Sequence, residues 1–474
     1  MMKMKRFIAI FVAILLMATS LVACKKKKKD ADKITITLIE TGIGVEWIEQ
    51  IRDDYFNETG IEVEVNSDPL LSDYLINAMA LDGEVDDDIY MTGLTYEWIN
   101  WVYNDRIVDL TSTFKQTYSD GSSMESRLPE ALKDLGKVGE HRYVAQFTYA
   151  PTGIVYNNTL LQEMYSANKV SFNEFPTKWD DLVKLAKEVS NANYTYKGNK
   201  VKGMVWGDSE YDLMDTFKTL WAQMDYEKYQ AYFAQEDNLD INLFVNDERR
   251  IALEAMYDLI DPIPGGGSTT SVPQMISADH DDCYLSFLNG TALMCFSGAW
   301  FETEMVDYID DSTFEYCFAP IPAIGDNEIN VNINYPTEGF FIPSCSDNIE
   351  GAKDFLRFMF REDNIIKIHN HIQTPLATTY DASKLTLTRW GREVQDLLSY
   401  KHTVSGASSL FYHVAGLRPE LEGSPFQKIF SDQVKRENLS SLLTSDYGTK
   451  SGNWDSKCSL VRLYRQRLEE RGIL

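Results

Sequence analysis

Basic residues are scarce in this 474-residue chain: 45 Lys and Arg stand against 72 Asp and Glu, a net charge of −27. Lys3, Lys5 and Arg6 are the only charges among the first 23 residues, so the remainder carries −30. A surface that acidic repels phosphate backbones and argues against nucleic acid as a partner. Cysteine is sparse too, six in all, with no C-x-x-C pair and no spacing of a zinc motif. With 27 glycines and 14 prolines the chain is not of low complexity. There is no G-x-S-x-G elbow, no H-E-x-x-H, and Gly265, Gly266 and Gly267 are not followed by the Lys-Ser/Thr of a phosphate-binding loop. No repeat of 20 to 50 residues is visible. No metal site or cofactor is expected: the six histidines are mostly isolated, and Asp279-His280-Asp281-Asp282 reads as a solvated acidic loop without calcium-loop spacing.

What is present is globular: 44% hydrophobic and 25% charged residues, in a length that suggests two or three domains. The one long apolar run is at the start. Lys3, Lys5 and Arg6 precede Phe7–Ala18, a run short for a bilayer span of about 20 residues. Leu21-Val22-Ala23-Cys24 resembles a bacterial lipobox, which implies a signal peptide over 1–23 and a lipid on Cys24. Residues 24–33 then form a lysine-rich tether, Lys25 to Lys29 being unable to pack and suited to anionic headgroups. The expected product is a body held by lipid outside the cytoplasmic membrane. Of the later cysteines, Cys283, Cys295, Cys317, Cys345 and Cys458, an odd number, at least one stays free. Small buried hydrophobes are the expected role, with a disulfide left open in an exported protein.

Along the body, Ile34–Ile39 alternates as a strand, Ile48, Ile51, Tyr55 and Phe56 fall at helical spacing, Gly60 stops that helix, and Ile61, Val63 and Val65 alternate again. This β-α-β unit predicts an α/β fold with a parallel sheet. Further strands are expected at Asp88–Met91, Ile154–Tyr156, Thr291–Phe296, Tyr316–Phe318 and Gly339–Ile342, and mostly helix after Ile349. Pro176-Thr177-Lys178-Trp179-Asp180 predicts a helix start with Thr177 as cap and Asp180 as its reciprocal acid.

Five segments, in order, resemble one family. Tyr149-Ala150-Pro151-Thr152-Gly153-Ile154-Val155-Tyr156-Asn157-Asn158 looks like a crossing strand ending in Tyr-Asn. Pro176 to Leu182 is similar to a "P-x-T-W-x-E-L" helix start, shifted by one residue and with Asp for Glu. Phe287-Leu288-Asn289-Gly290-Thr291-Ala292-Leu293-Met294, with Ser297-Gly298-Ala299-Trp300, resembles "F-x-x-G-x-A-A-M-x-x-x-G-x-W". Thr337-Glu338-Gly339-Phe340-Phe341-Ile342-Pro343 looks like a "G-G-x-x-I" strand, and a helix holding Ala352, Phe355, Leu356 and Phe358 follows. These are features of the family 1 extracellular solute-binding proteins of ABC importers, the group of the maltodextrin-binding protein. The resemblance covers roughly 34–375 and is weak beyond.

That resemblance implies two α/β lobes, each a mixed or mostly parallel sheet flanked by helices, closing like a hinge on a ligand held between them, the type II fold of periplasmic binding proteins. The expected lobes are 34–149 plus 322–371, and 152–319 plus 376–474, with crossings near Tyr149–Gly153, Ala319–Pro322 and His371–Pro375. The implied function is that of a monomeric, lipid-anchored, non-enzymatic carrier of a mono- or oligosaccharide to an ABC permease. A cationic ligand such as a polyamine or basic peptide, or a surface glycoside-processing enzyme, is the alternative. Sugars need flat aromatics for their apolar faces and carboxylates or amides for their hydroxyls. Trp300 is the foremost candidate, with Gly298 before it allowing close backbone approach. Glu40 and Thr41 end the first strand, where α/β sheets bind ligands. Thr92, Gly93, Tyr149, Trp206, Asn334 and Glu338 complete the candidates, while Trp47, Trp98 and Trp101 read as packing residues.

Overall fold

The computed structural model describes residues 33–80, 85–93, 97–207, 211–233, 240–273, 279–310, 314–326, 331–335, 338–400, 402–404, 425–445 and 451–474. Cys24 and the expected signal and lysine tether lie outside them, apart from Lys33.

The strands used below are β1 (Lys33–Ile39), β2 (Glu62–Asp68), β3 (Ile89–Gly93), β4 (Ala145–Gln146), β5 (Ala150–Asn157), β6 (Lys202–Val205), β7 (Ala292–Gly298), β8 (Tyr316–Ala319), β9 (Val331–Tyr335), β10 (Glu338–Phe341) and β11 (His402–Val404). The helices are α1 (Trp47–Thr59), α2 (Glu97–Tyr103), α3 (Trp179–Asn191), α4 (Tyr211–Met224), α5 (His280–Leu288), α6 (Phe301–Glu304), α7 (Glu362–Ile372), α8 (Arg389–Leu397) and α9 (Ser451–Glu470).

Two sheets organise the chain. The first has the order β2-β1-β3-β10-β4, with β1 parallel to β2 and β3, and β10 antiparallel to β3 and β4. The β-α-β unit is as its alternation predicts. Trp47, Ile48, Ile51 and Tyr55 bury one stripe of α1, and Gly60 ends the helix at φ 73°, a left-handed position that a side chain resists. The second sheet has the order β6-β7-β5-β9-β11, with β8 also on β5. There β6 and β7 are parallel and β5 runs against β7, β8 and β9. Each sheet has its own large core. One holds Ile36, Phe340, Phe355 and Ile368, the other Ile154, Trp179, Trp221 and Met294. The result is a mixed α/β fold of two helix-flanked sheets, the fold class the sequence implies.

The chain passes from first sheet to second between Gln146 and Ala150, close to the expected Tyr149–Gly153. It returns between Tyr335 and Glu338, later than the expected Ala319–Pro322. Ile321, Ile324 and Val331 are buried in the second core, and β9 pairs with β5, so 322–326 and 331–335 belong with the second sheet and not the first. Pro320 and Pro322 break a strand there without moving the chain between sheets. A third passage links α7, whose Ile365, Ile368 and Ile372 are in the first core, to α8, whose Trp390 and Val394 are in the second. It extends beyond the expected Pro375, because Leu376 still packs on the first core.

Two local expectations fail for identifiable reasons. The helix α3 is flanked by Lys178 with no side-chain cap. Residues 177–178 instead lie against Ala323, which donates to the Thr177 carbonyl at 2.9 Å and accepts from Trp179 at 2.8 Å, so backbone pairing replaces the capping box. Asp279-His280-Asp281-Asp282 is the start of α5 rather than a loop, Asp279 accepting from the Asp282 amide at 3.0 Å. None of the five later cysteines is in a disulfide, Cys283, Cys295 and Cys458 being buried and Cys317 and Cys345 half-buried. No described helix is long and apolar enough to cross a membrane.

Candidate functional site

Parallel strands bring their carboxyl ends to one edge. In the first sheet that edge carries Glu40 and Thr41 after β1, Asp68 at the end of β2 and Gly93 at the end of β3. Because β10 is antiparallel, its first residue Glu338 pairs with Gly93, and Gly339 pairs with Gln146, so both join the same edge. In the second sheet the carboxyl ends are Val205 of β6 and Gly298 of β7. Gly298 pairs with Thr152, and Pro151 pairs with Asn334. The direct links Gln146–Ala150 and Tyr335–Glu338 span four and three residue steps. At about 3.3–3.6 Å per residue they hold the two edges within roughly 10–14 Å of each other. The carboxyl edges of the two sheets therefore face one another.

Trp300 is at the junction. It is half-buried and packs against both cores. Its indole lies over Gly298, where a Cβ would fall 2.1 Å from Cζ3 and 2.3 Å from Cη2. From the opposite sheet, the loop after β1 closes on the same ring: a Cβ on Gly42 would lie 3.0 Å from Trp300 Cδ1 and 3.1 Å from Glu304 Cδ. Gly298 thus makes room for the indole, which stands between the backbone and the space beyond.

Glu304, at the end of α6, was not a candidate from sequence. Its Oε1 lies 3.2 Å from His280 Nε2, and its Oε2 is buried without a hydrogen-bond partner among the described residues. No periodicity points to it; only the turn after β7 brings it beside Trp300. Thr41 Oγ1 and Gln146 Oε1 are likewise buried and unsatisfied among the described residues. A buried polar group left without a partner costs about 1–3 kcal/mol, so such groups mark places where a ligand or water completes the set.

The other candidates divide. Glu40 is exposed and accepts from Ser67 at 2.6 Å. Thr92 is buried and shares a 2.7 Å hydroxyl contact with Ser72, and Gly93 is half-buried at the strand end. Glu338 is buried and accepts from Thr148 Oγ1. Tyr149 is buried in a small cluster with Leu132, Leu135 and Ala377, and its amide donates to Pro375 at 2.9 Å. Trp206 is also buried, 6.2 Å from Phe296 and nearly parallel to it. Its Nε1 has no hydrogen-bond partner among the described residues. A cavity of about 10 Å³, lined by Trp206, Gly207, His280, Cys283, Tyr284 and Phe296 among others, adjoins it, which is room for about one water. Asn334 is placed by its backbone on β9 beside Pro151. Trp47 packs on Phe147 at 4.5 Å, and Trp98 and Trp101 are buried, as packing residues are.

The described residues of the segments 40–47, 66–74, 92–93, 146–153, 205–207, 279–284, 297–308, 334–335 and 338 include no Lys or Arg. Their charged groups are carboxylates and His280. A polar ligand against these described segments would meet acceptors and an aromatic face, and among them no fixed cation to hold a phosphate or carboxylate.

Comparison with known proteins agrees with this geometry. The family model described as bacterial extracellular solute-binding protein matches residues 40–365. Among solved structures, one from work on xylan utilization by the bacterium Caldanaerobius polysaccharolyticus is 16% identical, with a TM-score of 0.63 over 87% of this chain and 99% of that one. An ABC substrate-binding protein of Listeria monocytogenes in complex with cycloalternan is 17% identical, TM-score 0.62, covering 88% and 99%. The bacterial solute receptor AcbH, described as exclusive for β-D-galactopyranose, is 14% identical, TM-score 0.65, covering 87% and 97%. At these identities the likeness concerns the fold. No curated protein sequence matches.

Proposed function

This chain belongs to the bacterial extracellular solute-binding proteins, and we propose that it captures an uncharged mono- or oligosaccharide between its two sheets and delivers it to an ABC permease. The observation that carries the reading is Trp300, held against both cores with the Glu304 carboxylate beside it. An indole face suits the C–H face of a sugar ring, and the open acceptors Glu304 Oε2, Thr41 Oγ1 and Gln146 Oε1 suit its hydroxyl donors. The sugar-binding neighbours support the same class. Ligand-driven closure about the short inter-sheet links needs no covalent chemistry. In this reading the described residues of 34–146 and 338–376 form one lobe, and those of 150–335 with most of the described remainder form the other. Of the candidates, Trp300, Glu304, Glu40, Thr41 and Glu338 touch ligand, Asn334 and Thr92–Gly93 shape the edge, and Tyr149 and Trp206 support it.

A monomer lipidated on Cys24 is part of the proposal. Cys24→Ser should release the protein from the membrane fraction, and a variant that stays membrane-bound would sink the anchor. For the ligand, calorimetry against neutral glycans, their uronic-acid counterparts and polyamines is decisive. Saturable one-to-one binding of a neutral glycan is expected. The carboxylate-lined edges favour a cationic ligand as the second reading, and tight polyamine binding with no glycan signal would establish it instead. Turnover of labelled oligosaccharide would overturn the carrier reading altogether.

A further inference from the structure

We propose that α9 is a strap that ties the two lobes together and holds them in the approached arrangement. The inference rests on the two-lobe closure reading above, but concerns residues outside the family match, which ends at 365. Cys458 and Val461 on α9 are buried in the core of the second sheet. Seven residues on, Leu468 is fully buried in a cluster on the first sheet, among Trp98, Trp101, Val102 and Phe341. Seven residues are close to two turns, so Val461 and Leu468 share a helix face about 10 Å apart along the axis. One rigid stripe is therefore seated in both bodies.

Polar contacts fix the first-sheet end. The Tyr464 hydroxyl donates to Asn100 Oδ1 at 2.6 Å, and its ring lies 5.2 Å from that of Tyr103. The Arg467 guanidinium sits 5.4 Å from the Tyr103 centroid. Arg471 donates to the Tyr103 carbonyl and to Asp105. Beyond the helix, the Ile473 carbonyl lies so close to Gly139 that a Cβ there would approach it to 2.4 Å. The partners of Tyr464, Arg467 and Arg471 gather on α2 and the turn after it, while the three covalent passages run elsewhere. Both seats are filled in the same arrangement in which Gly42 abuts Trp300 and Glu304. Separating the sheet edges must unseat one end or bend the helix, so the strap favours the closed population and raises apparent affinity.

The test is Leu468→Ala with Arg471→Ala in the full chain, which frees the first-sheet end and leaves Cys458 and Val461 in place. Solution X-ray scattering of the ligand-free variant should show a larger radius of gyration than wild type, and calorimetry a dissociation constant raised about tenfold. Hydrogen exchange at β1, β3 and β10 reports whether the first sheet remains folded. If it does not, Tyr464→Phe with Arg471→Gln removes only polar contacts, and must give the same expansion to a lesser degree. An unchanged radius in a folded variant overturns the strap. Because scattering needs no ligand, failure to bind any glycan would overturn the proposed function while leaving the strap standing.

Discussion

Gly298→Ala offers a way to test the Trp300 assignment without deleting the indole. The new Cβ would lie 2.1, 2.3 and 2.5 Å from Cζ3, Cη2 and Cε3 of the ring. Ordinary carbon contacts are about 3.5–4.0 Å, so the ring must withdraw by more than 1 Å. Its Cδ1 edge is held near Gly42, where a Cβ would already lie only 3.0 Å away, so withdrawal must tilt the ring out of its present plane. Overpacking of this kind costs roughly 1–3 kcal/mol where the surroundings resist. A displaced stacking platform loses the anchor's contribution, at least about 2 kcal/mol, or roughly thirtyfold in affinity. Trp300→Ala should lose a similar amount of affinity, with a ligand-free melting temperature near wild type because the ring is only half-buried. Calorimetry and thermal melts of both variants against whichever glycan binds provide the measurement. If Trp300→Ala melts far below wild type while its folded fraction binds normally, the indole is a core residue. Wild-type affinity in Gly298→Ala would equally defeat the argument.

Three further expectations follow from burial. His369 is fully buried, edge-on to Tyr380 at 5.1 Å, with neither ring nitrogen hydrogen-bonded among the described residues; burial pushes its pKa down to about 4. The unfolded imidazole protonates near 6.5 while the folded one resists, so stability is full above about pH 6.5 and falls as pH drops towards 4, by about 3 kcal/mol in all. Burial pushes the Tyr380 phenol far up, so it does not titrate in that range; denaturant melts of wild type and His369→Leu should diverge below pH 6.5, and parallel curves would refute the cause. Lys218 is paired with Asp215 at 2.8 Å with side chains 2% and 9% exposed. Lys218→Met removes the cation beside a buried carboxylate and should lower stability, measured by urea unfolding; an unchanged midpoint would contradict a stabilising role for the pair. Gly203 lies against the Ala186 backbone, where a Cβ would meet the carbonyl oxygen at 2.4 Å. Gly203→Ala should therefore lower the melting temperature, and an unchanged melt would contradict that α3–β6 contact.

The local code of this protein is legible without a structure. Alternation at Ile34–Ile39, the α1 stripe and the Gly60 stop specify a parallel β-α-β unit because burying one face of each element fixes the next. Glu40, Thr41, Gly93 and Gly298 could be placed at strand ends because a strand's carboxyl end is a property of its own sequence. What neighbours a strand end is not. The return passage falls at Tyr335–Glu338 because β9 pairs with β5, a register that no residue near Pro320 announces. Glu304 reaches Trp300 only through the turn that follows β7, and Gly298 serves the indole because the ring folds back over it. The helix α9 carries an unremarkable stripe of Cys458, Val461 and Leu468, and only the packing of two separate bodies decides that one end belongs to each. Sequence periodicity records which face is buried, and tertiary structure alone decides against what, since contacts between distant segments leave no periodic trace in either one.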